Sequence, residues 1–80
     1  MYLHLGQDTV VRGDDIIGIF DLDNTTVSPH TRAFLKKQEQ AGSVVTITDD
    51  LPKSFVLCGR GEYRVYLSQI SAATLKKRNK

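Results

Sequence analysis

The sequence holds a single cysteine, Cys58, which rules out an intramolecular disulfide and any zinc site built from paired thiolates. Cys58 lies inside the apolar run SFVLCG, where a thiol serves as a small hydrophobe. The two histidines, His4 and His30, are far apart and have no cysteine partner, so neither a metal site nor a cofactor is expected. No apolar stretch approaches the ~20 residues that cross a bilayer, and the start MYLHLGQDTVVR lacks the basic-then-apolar layout of a secretion signal. The expectation is a cytoplasmic protein without a membrane partner. Repeats, low-complexity tracts and linkers are missing too. With 80 residues, the chain reads as one domain, 1–80, with a modest core.

What is present is an uneven distribution of charge. Residues 1–30 carry Arg12 against Asp8, Asp14, Asp15, Asp21 and Asp23, a net of −4, whereas residues 31–80 carry ten cations against Glu39, Asp49, Asp50 and Glu62, a net of +6. Such asymmetry points to a nucleic-acid or membrane-surface partner, or to two faces suited to head-to-tail self-association.

Periodicity predicts an α+β fold, a small and mainly antiparallel sheet with two helices. MYLHLG and DTVVRG read as short strands ending at glycine, and DDIIGIFDL as a third strand. Its alternation puts Ile16, Gly18, Phe20 and Leu22 on one face and Ile17 and Ile19 on the other. Apolar residues on both faces predict a central strand or one at an interface. Ser28-Pro29 then opens a helix in the preferred way, a hydroxyl cap followed by proline at the first helical position. Helical spacing runs to Gly42, with Phe34, Leu35, Gln38 and Ala41 as the inner stripe. SVVTIT is a fourth strand, and KSFVLCG with EYRVYLS forms a hairpin around Gly59-Arg60-Gly61. Ile70 and Leu75 flank a cap at Ser71 with the spacing of a hydrophobic staple, and the closing helix ends in cations that suit its dipole. With so small a core, burial between copies is a natural source of stability, so a homo-oligomer is expected.

One stretch, IIGIFDLDNTTVSP, carries a chemical signal. Asp21-Leu22-Asp23-Asn24-Thr25 has the DxDxT spacing of the haloacid dehalogenase phosphotransferases, in which the first carboxylate attacks phosphorus. Asp49 and Asp50 offer a second acidic pair at a strand end. Such an enzyme needs a doubly wound parallel sheet with crossovers of a dozen or more residues, and there is no room for one after Asp50. Asp, Asn and Thr are also what turns use, so the run reads as the exit of the third strand into the Ser28 cap. No catalytic residue is assigned.

Blocks along nearly the whole chain (MYLHLG, DIIGIFDLDNTTVSP, FLKKQ, PKSFVL and LSQISAATLKKR) resemble the RemB (YaaB-like) extracellular matrix regulators. Their sister family, the RemA regulators, comprises DNA-binding activators of biofilm-matrix operons that form ring-like homo-oligomers. The resemblance therefore implies a ring-forming transcriptional regulator without catalytic activity, with double-stranded DNA as its partner. RemA-type proteins carry adjacent arginines for DNA just before the strand matching PKSFVL. Here those positions are Asp50 and Leu51, preceded by Asp49, and only Lys53 has a counterpart. Acidic residues repel phosphate, so DNA contacts fall to other residues or the protein acts through a protein partner.

Electrostatics supplies the candidates. Arg32 and Lys36 are four apart on one helix and Lys37 extends the patch, with Lys53 at the start of the fifth strand. Arg60 and Arg64 of the hairpin complete the candidate DNA-binding set, while Lys76, Lys77 and Arg78 are already accounted for by the helix dipole. Three readings follow: an oligomeric DNA-binding regulator, a regulator acting through protein contacts alone, and a phosphotransferase. Magnesium-dependent turnover of a phosphate ester, abolished by Asp21→Asn, would single out the third.

Overall fold

The computed structural model describes residues 1–22 and 28–79. A hairpin of β1 (Tyr2–Gly6) and β2 (Thr9–Arg12) leads through a 3₁₀ turn into β3 (Ile16–Asp21). Helix α1 (Pro29–Gln40) precedes β4 (Val44–Thr46), β5 (Ser54–Gly59), β6 (Tyr63–Ser68) and helix α2 (Ala72–Arg78). The hairpin is a sheet of its own, and the other strands form a four-stranded sheet in the order β3-β5-β6-β4.

Among the described residues the α+β class, the six strands and the two helices are those expected, with two corrections to the sheet. First, β3–β5 and β5–β6 are antiparallel, but β4 runs parallel to β6, with Val44 opposite Val65 and Thr46 opposite Leu67. Helix α1 is the crossover that sets this direction, because it returns the chain to the end of the sheet where β6 begins. Second, of the two places expected for β3, a central strand or one at an interface, its edge position excludes the first. A bulge between Ile16 and Gly18 breaks the strict alternation. It turns Ile16 and Ile19 toward the main core and leaves Gly18 and Phe20 on the other face. One face of β3 packs beneath the hairpin and α2, and on the other Phe20 lies against Phe55 of β5 and stays partly exposed.

On one face the hairpin and α2 close over the sheet. Leu3, Leu5 and Val11 of the hairpin meet Ile19, Val56, Cys58, Ile47, Ala72 and Leu75 in one buried cluster. Two buried serines stitch the layers together. Ser68 Oγ donates to the Leu5 carbonyl at 2.6 Å and accepts from the Ile70 N–H at 3.0 Å, and Ser54 Oγ donates to the Ile70 carbonyl at 2.7 Å. Among the described residues no buried side-chain polar atom lacks a partner, as a low-dielectric interior requires.

The other face carries α1. Ser28 caps it, its Oγ accepting from the Thr31 N–H, and Gly42 ends it at φ +75°, a left-handed conformation that costs glycine little. No residue of α1 is buried. Phe34, Leu35 and Gln38 are half-buried above Phe55 and Val65, while Ala41, the fourth member of the expected stripe, is exposed. The helix touches β4 and β6, and among the described residues the β3–β5 half of this face is only partly covered. There Phe20 stacks on Phe55 with ring centroids 4.8 Å apart. Its ring leans over Gly18, where an added Cβ would stand 2.6 Å from it.

Candidate nucleic-acid interface

Helix α1 positions three of the six candidate cations. Because Thr31, Phe34, Leu35 and Gln38 turn inward, Arg32 and Lys36 stand one turn apart on the outward face. Lys37, one turn beyond Phe34, lies on the side of the helix that looks toward β3. All three are exposed, and among the described residues no ion pair involves them. Lys53 is exposed too, on a backbone held from both sides: its N–H donates to the Ser68 carbonyl and its carbonyl accepts from the Leu22 N–H, each at 2.8 Å.

Direction along the sheet decides which of these come together. The start of α1, at Thr31, lies beside Phe20 and Phe55, whereas its end, Ala41–Ser43, lies beside Glu62, Tyr63 and Arg64 at the tip of the β5–β6 hairpin. Arg32 and Lys53 therefore occupy the same end of the molecule. Arg60 lies at the opposite end, seven residues or roughly 20 Å along β5 from Lys53.

The two hairpin arginines also differ in surroundings. Arg60 Nε pairs with Asp15 Oδ1 at 3.2 Å, an exposed contact of small energetic weight. Arg64 stands opposite Cys58 in the ladder, on the sheet face away from α1. Both line an open cleft of about 320 Å³ together with Asp15, Cys58, Glu62 and Tyr66. Its two carboxylates offset its two guanidiniums, so the cleft attracts phosphate weakly compared with the outward face of α1. Burial, and then the nearby Asp15 carboxylate, push the Cys58 thiol up to about 11, which keeps it protonated and unreactive at neutral pH. Lys76, Lys77 and Arg78 occupy the last turn of α2, in the layer opposite α1. Arg32 and Lys53 thus share one end of the molecule and Arg60 and Arg64 the other, with Lys36 and Lys37 between them along α1.

Of the DxDxT run, Asp21 is the exposed last residue of β3, and Asp23, Asn24 and Thr25 lie outside the described residues. The sheet that carries Asp21 has one parallel pair of strands, not the doubly wound parallel core that phosphotransferase chemistry uses. Asp49 and Asp50 are exposed in the loop after β4, where the Asp50 N–H donates to Thr48 Oγ1 at 3.0 Å. Among the described residues no group of three or more histidine, cysteine or carboxylate side chains is placed to hold a metal, and no helix is long and apolar enough to cross a membrane. Leu51 is the most exposed of the large apolar residues among those described, at 89%, an exposure that the sequence does not signal because an isolated leucine in a loop has no periodicity.

Two comparisons with known proteins show what the chain is similar to. A family model described as RemA-like, extracellular matrix regulatory protein A-like, matches residues 2–78. The chain is also 45% identical over 78 residues to the extracellular matrix regulatory protein B of Bacillus subtilis (strain 168), spanning 98% of this chain and 89% of that protein.

Proposed function

Because the chain belongs to the RemA-like family of extracellular matrix regulatory proteins, we propose that it regulates matrix genes by binding double-stranded DNA as a ring-like homo-oligomer. The observation that carries the reading is the outward face of α1, where Arg32 and Lys36 stand exposed one turn apart, with Lys53 toward the same end of the molecule. Like charges four apart on a helix repel mildly, so the row is neutralised best by an anion laid across it. Each subunit repeats the row, and phosphate contacts add along a duplex that spans several copies. Contacts of this kind grip the backbone and leave sequence preference to DNA shape.

The second reading, a regulator that works through a protein partner, is favoured by the loop that precedes Lys53. Asp49, Asp50 and Leu51 are all exposed there, and two carboxylates beside an apolar side chain suit a protein surface better than a phosphate backbone.

A duplex titration at two salt concentrations, run beside a light-scattering mass, separates the two. DNA binding through phosphates loses affinity with salt at a slope of roughly 0.9 per contact. The triple variant Arg32→Ala, Lys36→Ala, Lys53→Ala weakens binding on every duplex sequence and flattens that slope, with the oligomer intact. Unchanged binding by the triple variant means the residues are wrongly assigned. A parent protein with no salt-sensitive binding gives first place to the protein-partner reading, and a monomeric parent refutes the oligomer.

A further inference from the structure

The loop between β4 and β5 holds a leucine out in solvent on a braced backbone. Thr48 Oγ1 donates to Gln69 Oε1 at 2.6 Å and accepts from the Asp50 N–H at 3.0 Å, so the loop is tied to the segment after β6. At the other side the Lys53 N–H donates to the Ser68 carbonyl at 2.8 Å, and Pro52 restricts the backbone between. Leu51, 89% exposed, is thus presented with little ordering left to do on contact, between the exposed carboxylates of Asp49 and Asp50 and a proline.

The same chain carries a surface of opposite character. Among the described residues, Phe20, Thr31, Phe34, Phe55 and Leu57 line an open, mostly apolar groove of about 210 Å³ between α1 and the β3–β5 half of the sheet. That space admits a branched aliphatic side chain. Its helix-side flank carries a cation: Lys37 lies one turn beyond Phe34 on the same flank of α1 and is exposed. An apolar knob flanked by carboxylates on one surface, and an apolar slot flanked by a cation on another, complement each other in shape and in charge. The knob does not enter the slot of its own molecule, since Leu51 is exposed. Groove-to-groove contact would instead set Lys37 against Lys37.

We propose that a second copy of this chain fills the groove, inserting Leu51 between α1 and the β3–β5 half of the sheet, with Asp49 and Asp50 facing Lys37. This inference rests on the homo-oligomer reading and names its contact. It also gives Lys37 a different partner from Arg32 and Lys36, which face away from the groove.

The full chain and three variants test it by light scattering over a micromolar concentration series, with circular dichroism to confirm the fold. Leu51→Ser removes the knob at a position that supports no core, and raises the concentration of half-association by about tenfold or more. Lys37→Glu shifts it in the same direction. Combining Lys37→Glu with Asp49→Lys and Asp50→Lys restores association, because the charges are exchanged while the geometry is kept. Association by Leu51→Ser at the parental concentration, or no rescue by the exchange, overturns the inference while leaving the homo-oligomer reading in place. A parent that stays monomeric overturns both.

Discussion

The two helices carry unequal shares of the fold, and leucine truncation on each measures the difference. Leu75 of α2 is 0% exposed and belongs to the cluster of Leu3, Leu5, Val11, Ile19 and Val56. Leu35 of α1 is only half-buried, on a helix with no buried residue. Truncating a fully buried leucine to alanine costs its transfer free energy plus the cavity left behind, about 3 kcal/mol within a range of 2–5. A domain of this size holds roughly 4–12 kcal/mol in total, so Leu75→Ala removes a quarter or more of it. The midpoint of thermal unfolding falls by roughly 12–24 °C, at 4–8 °C per kcal/mol for a small domain. Leu35→Ala is expected to cost about 1 kcal/mol, because water already reaches part of that side chain. With seven residues, α2 is too short to persist undocked, so loss of its anchor also removes helical signal. Urea unfolding followed by far-ultraviolet circular dichroism, at one protein concentration so that the proposed association contributes equally to each variant, reads both values. If Leu75→Ala costs less than 1 kcal/mol, or less than Leu35→Ala, the assignment of the main core to the α2 side is refuted.

Further outcomes follow from two buried groups, Ser68 and Cys58. Ser68→Ala leaves the Leu5 carbonyl and the Ile70 N–H without the hydroxyl between them, which costs about 1–3 kcal/mol. Hydrogen exchange then rises in β1 and β2, and unchanged protection there would show that the bond does not hold the hairpin down. Cys58 titrates near 11 in the fold, above the ordinary 9.0, so the fold favours the neutral thiol. Its contribution is intact below pH ~9 and is lost as pH rises toward 11, and the stability advantage of the parent over Cys58→Ala narrows across that window. A difference that stays constant through the window contradicts this. Because the residue serves packing, Cys58→Ser lowers stability without altering assembly or regulation. The native thiol reacts slowly with a disulfide reagent at neutral pH and quickly in urea.

The local elements were legible in the sequence because each is written in contiguous chemistry. Ser28-Pro29 and Ser71 mark helix starts by the hydroxyl that accepts a backbone N–H three residues on, as both do here, and Gly42 marks a helix stop. The β5–β6 hairpin followed from alternation about Gly59-Arg60-Gly61, with Gly59 opposite Tyr63 in the ladder. The candidate cations were legible as residues, and so was their exposure, but not their grouping.

Tertiary structure decided the rest, for reasons that do not lie along the chain. Alternation alone could not show that a bulge shifts Ile16 relative to Gly18, because a bulge depends on the partner strand. Nor could it place β3 at the edge, since an edge strand with apolar residues on both faces has the same composition as a central one. The parallel pairing of β4 with β6 depends on where α1 returns the chain, and the separation of Arg60 and Arg64 from Lys53 depends on the length of β5. By itself the sequence determined the elements, their caps and the sign of each half, because propensity, capping and charge act over a few residues. Which face is covered, which edge is open and which charges become neighbours are set by packing between residues distant in the chain, and those only the folded molecule decides.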